Sequence, residues 1–221
     1  MSEAVQTTQA QGAFPLADHF SNPKQQQEAA KLGMWLFLAT EILLFGGLFV
    51  AYAIYRTQRP LLFVAASKQL DVSLGAFNTV VLLFSSLTVA LAIRSAQLNR
   101  SKSTVFYLLT TLGCAVVFLL VKAHEYQHKI HEGLLPGQGF ANTALPSPNE
   151  AHLFFGLYFS MTGLHAIHVL LGMGVLMWLA IRAWRGHFGA HYTVPLEMGG
   201  LYWHLVDVIW IYLFPLLYLV G

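Results

Sequence analysis

Residues 32–55 read LGMWLFLATEILLFGGLFVAYAIY, a run whose only acidic or basic side chain is Glu41. A bilayer core about 30 Å thick takes about 20 apolar residues of helix to cross, so this segment reads as a membrane span with one carboxyl near its middle. Four further runs of the same character lie at about 72–94, 103–128, 150–182 and 196–219. The expected fold class is therefore all-α: a polytopic membrane bundle of five transmembrane helices over 32–221, preceded by a flexible polar arm, 1–31. That arm is Gln-rich and lacks an apolar core, so the first span is expected to act as its own insertion signal.

Composition agrees. The chain is 56% hydrophobic and only 10% charged, against about 25% charged in an ordinary soluble domain. Its mean hydropathy is +0.57. A formal charge of +2, without a basic tract interleaved with aromatics, gives no reason to expect nucleic acid as a partner. The single cysteine, Cys114, sits in an apolar run and excludes an internal disulfide.

The connections carry the polar residues. The loop after the first span holds Arg56, Arg59, Lys68 and Asp71, and its apolar LLFVAA stretch is expected at the membrane interface. The segment 129–149 is polar and rich in Gly and Pro, and Ser147-Pro148-Asn149-Glu150 has the pattern of a capped helix start. Lys24, Lys31, Arg94, Arg100, Lys102, Arg182 and Arg185 fall on one side. Arg56, Arg59, Lys68 and Lys129, with Lys122 a marginal fifth, fall on the other. Basic loops stay cytoplasmic, which orients the N-terminus inside and the C-terminus outside.

Ionisable groups inside a membrane cost roughly 2.5–3.5 kcal/mol each and normally face protein or water. Glu41 lies about 13–15 Å along the first span. Two readings stay open for it: a carboxyl hydrogen-bonded to a neighbouring helix, or a group that handles protons or lines a lipid or water cavity. His165 and His168 share a face of the fourth span, as His204 and Asp207 do of the fifth. With Trp203 and Trp210 beside them, these four are expected to form a hydrogen-bonded seam between the last two helices. Gly46-Gly47, Gly163, Gly172 and Gly174 suit close helix packing.

His124-Glu125-Tyr126-Gln127-His128 is a literal H-E-x-x-H, the pattern of a helical zinc site with a glutamate base. An intramembrane zinc metalloprotease is therefore the alternative of a different class. The motif lies at the rim of the third span, and a third ligand would have to come from Glu150, Glu197 or Asp207. A rim contact with water, headgroups or a partner is the plainer reading. No C-x-x-C-H exists for covalent haem. A transporter would be expected to show internal repeats or broken helices, and neither is evident.

The spans resemble subunit III of cytochrome c oxidase and its quinol-oxidase relatives, through nearly all of the chain after residue 31. GMWLFLATEILLFGGLFVAY resembles the family segment with a buried glutamate, at Glu41. FNTVVLLFSSLTVALA surrounds Asn78, and Glu125 and Tyr126 match the family's glutamate-tyrosine segment. TGLHAIHVLLG places His165 and His168. Glu197 and YWHLVDVIWIYLF place Tyr202, Trp203, His204, Asp207 and Trp210.

The resemblance implies an accessory, non-catalytic subunit of a proton-pumping terminal oxidase that reduces dioxygen to water. It implies that this chain binds no metal, haem or copper, these lying in partner subunits, and that phospholipid sits in its bundle. It implies contact with subunit I, association with subunit II and a small subunit IV, and residence in the bacterial cytoplasmic (inner) membrane. Glu41 would be the buried carboxylate beside lipid or subunit I, supporting proton uptake. Glu125, Tyr126, Glu197, Tyr202, Trp203 and Trp210 would be rim and interface residues. The chain looks like the five-helix form, without the first two helices of longer members. A nitric oxide reductase partner and a quinol oxidase subunit III are the rival assignments, and the electron donor is read by other subunits.

Overall fold

The computed structural model describes residues 20–134, 151–190 and 192–219. Six helices follow in order: α1 (Pro23–Gln58), α2 (Pro60–Ser67), α3 (Val72–Gln97), α4 (Ser101–His131), α5 (Ala151–Trp184) and α6 (Val194–Tyr218). All but α2 are long and apolar enough to cross a membrane. The outer part of the polar arm and the Ser147-Pro148-Asn149-Glu150 start lie outside the described residues.

α1 begins earlier than the apolar run. Asn22 Oδ1 accepts from Gln25 N at 2.8 Å, Pro23 takes the first helical turn, and QQQEAAK are mostly good helix formers. Residues 23–31 thus extend the span as a polar stub.

α2 turns one face into the bundle and leaves Leu61 exposed. Leu62, Phe63, Ala66 and Ser67 are buried, with Phe63 edge-on to Tyr52 (centroids 5.2 Å) and to Phe154 (5.4 Å). Pro60 in the first turn starts this short helix. Asp71 then caps α3, accepting from Ser73 N at 2.8 Å and Leu74 N at 3.2 Å.

α3 and α4 make the most extensive pairing, joined by a tight turn with Asn99 at φ 57. Asparagine tolerates this left-handed conformation better than most residues. Its Oδ1 also accepts from Ala190 N at 2.7 Å, tying the α3–α4 turn to the α5–α6 loop. α5 stops at Gly186 (φ 75), with His187 N bonded to Arg182 O, the glycine terminator expected where a side chain would be strained.

The interior is aromatic. Trp203, Trp210, Tyr52, Tyr158, Phe45, Phe63 and Phe118 are fully buried, whereas Leu43, Val80 and Phe106 point outward, as they should toward acyl chains. α1 is the least covered span and touches chiefly α5 and α6.

Of the glycines expected at helix crossings, Gly46, Gly47 and Gly174 have nothing near a would-be Cβ, and Gly163 has only the Tyr126 hydroxyl at 3.8 Å. Gly172 is the close approach. A Cβ there would stand 2.9 Å from the Trp203 ring, and that ring is boxed in by the core. Gly172→Ala is expected to destabilise by about 1–3 kcal/mol through overpacking, and Gly174→Ala to be neutral. Thermal unfolding of the two variants in detergent checks this; equal melting would refute the close-packed crossing.

Candidate functional site

Glu41, on the third turn of the apolar part of α1, reaches His168 of α5: Oε2 and Nε2 are 2.8 Å apart, with both side chains largely shielded. His168 Nδ1 lies 2.8 Å from Leu164 O. A carbonyl only accepts, so Nδ1 carries a proton and donates it. Nε2 then either accepts from a carboxylic acid or, as imidazolium, donates to a carboxylate. In both cases one proton is shared by the pair. Phe45 covers the imidazole edge-on at 5.2 Å, and the Tyr202 hydroxyl donates to His168 O at 3.1 Å. The pair fastens α1 to the bundle.

Beside it, α1, α5 and α6 enclose an apolar cleft of about 450 Å³, lined by Met34, Phe37, Leu171, Val175, Trp178 and Tyr202 among others.

The most heavily bonded group was expected at the rim. Glu125 is 3% exposed and faces the core. Its Oε2 accepts from Lys122 Nζ at 3.0 Å, and its Oε1 accepts from the hydroxyls of Tyr158 (2.8 Å) and Tyr218 (2.6 Å). Lys122 also donates to those hydroxyls, at 3.1 Å and 2.8 Å. Its three N–H bonds are all used. Its charge lies 5.0–5.5 Å from the ring centres of Tyr126, Tyr158, Trp210 and Tyr218, so cation–π attraction adds to the ion pair. Tyr126 itself bonds the Thr162 hydroxyl. α4, α5 and α6 meet at this cage. Lys122 is therefore a buried partner rather than a loop charge, which leaves Arg56, Arg59, Lys68 and Lys129 on that side.

This arrangement takes the H-E-x-x-H apart. Successive helical residues turn by about 100°, so with Glu125 inward, His124 and His128 are exposed. His128 pairs with Glu132 at 3.1 Å. The glutamate that would serve as base is committed to Lys122 and two tyrosines. Among the described residues no group of three or more His, Cys, Asp or Glu is placed to hold a metal.

The expected seam between the last two spans is redistributed. His168 bonds α1, and His204 Nδ1 lies 2.7 Å from Ser86 Oγ on α3. Trp203 Nε1 donates to Ser85 Oγ and Trp210 Nε1 to Thr79 Oγ1, each at 3.0 Å. These indole and imidazole groups of α6 thus bond α3, while the Tyr202 hydroxyl bonds α5. His165 is fully buried between Phe118 and Trp210. Asp207, also buried, faces the Ser85 and Ser86 hydroxyls. Glu197 accepts from Thr193 Oγ1 at 2.7 Å at the start of α6.

Sequence reasoning missed Lys122, Tyr158 and Tyr218. The Lys-x-x-Glu spacing was a usable signal, since i and i+3 share a helix face.

The model of the family described as cytochrome c oxidase subunit III matches residues 19–221. The chain belongs to that family. It is 30% identical, over 92% of its length, to the heme-copper oxidase subunit I+III of Aeropyrum pernix, of which it spans 24%. It is 28% identical, over 88% of its length, to the probable quinol oxidase subunit 3 of Staphylococcus aureus (strain USA300), of which it spans 90%. The five-span α bundle, the subunit III family and an accessory place in a haem-copper oxidase agree with one another.

The cage makes a direct prediction. Lys122→Met alone strands a buried carboxylate and should cost about 3–5 kcal/mol. Lys122→Met with Glu125→Gln removes both charges while leaving an amide oxygen for the two tyrosines, and should recover most of that loss. Thermal unfolding of the purified assembly reads both; a double variant as damaged as the single would show that the charges are not coupled.

Proposed function

We propose that this chain is the accessory, haem- and copper-free subunit III of a proton-pumping terminal oxidase, stabilising subunit I while the complex reduces dioxygen to water. The observation that carries this reading is a subunit III match running through all five spans. The Aeropyrum relative, whose name joins subunits I and III in one chain, supports direct contact with subunit I. Subunit II and a small subunit IV complete the proposed complex. The Staphylococcus relative favours a quinol oxidase as the second reading, ahead of a nitric oxide reductase.

The geometry supports this reading. Polar groups in the bundle are largely turned toward one another, which suits a subunit that holds shape rather than one that turns over substrate. Glu41 and His168 share a proton inside the membrane, a pair able to support proton uptake by the complex. The apolar cleft against α1 suits phospholipid acyl chains. Tyr126, Glu197, Tyr202, Trp203 and Trp210 act mainly by fixing helix contacts.

A gentle-detergent pull-down through this chain is expected to bring a large subunit with a haem-copper difference spectrum and dioxygen consumption. A partner that reduces nitric oxide, or no haem protein at all, would overturn the assignment. Glu41→Ala should leave the haem content of the complex intact and change its stability or proton-coupled behaviour only mildly. Complete haem loss would contradict an accessory role.

We infer a bacterial cytoplasmic membrane with the N-terminus inside, an orientation supported by the distribution of basic loop residues. Labelling of single cysteines introduced at residues 5 and 221 in sealed cells should mark only the latter; the reverse pattern would invert the topology.

A further inference from the structure

Among the described residues, three polar side chains inside the bundle make no hydrogen bond of ordinary geometry: Asn78 on α3, His165 on α5 and Asp207 on α6, whose nearest polar neighbours are the Ser85 and Ser86 hydroxyls. Asn78 and His165 are 0% exposed and Asp207 is 2% exposed. Each leaves both of its polar side-chain atoms bare, amid neighbours that are almost all paired. A buried polar group left unmatched bears its full desolvation cost, so six such atoms in one interior call for an explanation.

Helix register puts the three together. The Trp210–Thr79 bond sets the level of Trp210 beside Asn78's turn of α3. His165 lies against the Trp210 ring at 5.3 Å, and Lys122 reaches the same ring at 5.3 Å. Asp207 is one helical turn from Trp210 and faces Ser85, Ser86 and the vicinity of Cys114. Cys114 and Phe118 are themselves one turn apart on α4, and Phe118 touches His165 at 5.5 Å. The three bare groups therefore fall within about two turns of depth between α3, α4, α5 and α6.

The neighbouring polar groups extend this level in both directions. Above it stand Lys122 and Glu125, and Glu125 also lines a solvent-facing cleft of about 460 Å³ with Asp71, His124, His128 and Glu132. Below it, Ser86 meets His204, which lines a second cleft with Lys31 and Glu197 near the other end of the bundle.

We propose that ordered water molecules bind Asn78, His165 and Asp207 inside this bundle and complete a polar file between the Glu125 cleft and the His204 cleft. Water is the ligand whose chemistry fits. It both donates and accepts, so it answers an amide, an imidazole and a carboxyl together, and buried waters typically take about three such partners. An apolar occupant would leave all six atoms bare.

The test is hydroxyl-radical labelling by a millisecond radiolysis pulse, on the purified assembly containing this chain in nanodiscs, with water as the probe. Side chains next to bound water oxidise even when bulk solvent does not touch them. After correction for intrinsic reactivity, Phe118 and Trp210 should label several-fold faster than Phe63 and Phe154, which are equally buried in an aromatic cluster. Labelling of Phe118 and Trp210 no faster than Phe63 and Phe154 would overturn the proposal, and that comparison needs no variant. Asn78→Leu with Asp207→Leu, where it assembles, should remove the excess at Phe118 and Trp210. Persistent excess in that variant would show that these residues are not the water ligands.

Discussion

In hydrocarbon a polar side chain has no solvent to return to, so each one buried in a membrane bundle must find its partner on another helix. The Lys122–Glu125 pair is where this constraint acts most strongly. Two charges removed from water repay their desolvation only when every donor and acceptor is engaged. Here the lysine's three donors meet one carboxylate and two hydroxyls, and the carboxylate takes back two tyrosine protons. Tyr158 and Tyr218 must therefore stand at fixed heights on α5 and α6, which sets the register of both helices against α4. The Trp210 and Trp203 bonds to α3 then act on helices already aligned.

The same constraint explains the uneven cohesion of the bundle. α3, α4, α5 and α6 are cross-linked by side-chain bonds, including Thr88 to Thr111 between α3 and α4. α1 has a more apolar interface and is held by the Glu41–His168 pair together with the Tyr52 hydroxyl on Leu216 O. In lipid, apolar contact between helices gains little, because the acyl chains are as apolar as the helices. Two polar links thus carry much of what keeps α1 in place.

How far this could be read beforehand depended on range. Hydropathy is local, so the five spans and the lone Glu41 stood out at once. Caps are local too, which is why the early start of α1 was in principle readable from Asn22-Pro23. Pairing is not local. Tyr158 and Tyr218 lie 33 and 93 residues from Glu125 in sequence, and nothing in the chain points from one to the other. Proximity along the chain misled in the same way. His165 with His168, and His204 with Asp207, suggested a seam between the last two spans, yet the partners of His168 and His204 lie on α1 and α3. The H-E-x-x-H was legible as letters, and rotation about the helix axis separated its glutamate from its histidines.

Resemblance supplied what local reading lacked, but it carried positions rather than environments. It marked Glu125 and Tyr126 as significant and assigned them to a rim. The physical reason they lie inward is Lys122. A lysine at i−3 turns a glutamate at the membrane edge from a solvated group into half of an ion pair, and four aromatic rings around the ammonium then favour burial of the whole unit. Without the lysine, the same glutamate would gain more from water than from two tyrosines. The inward position of Glu125 is thus a property of the cage, not of the glutamate-tyrosine segment alone, and the cage fixes the rotation of α4 together with its packing on α3.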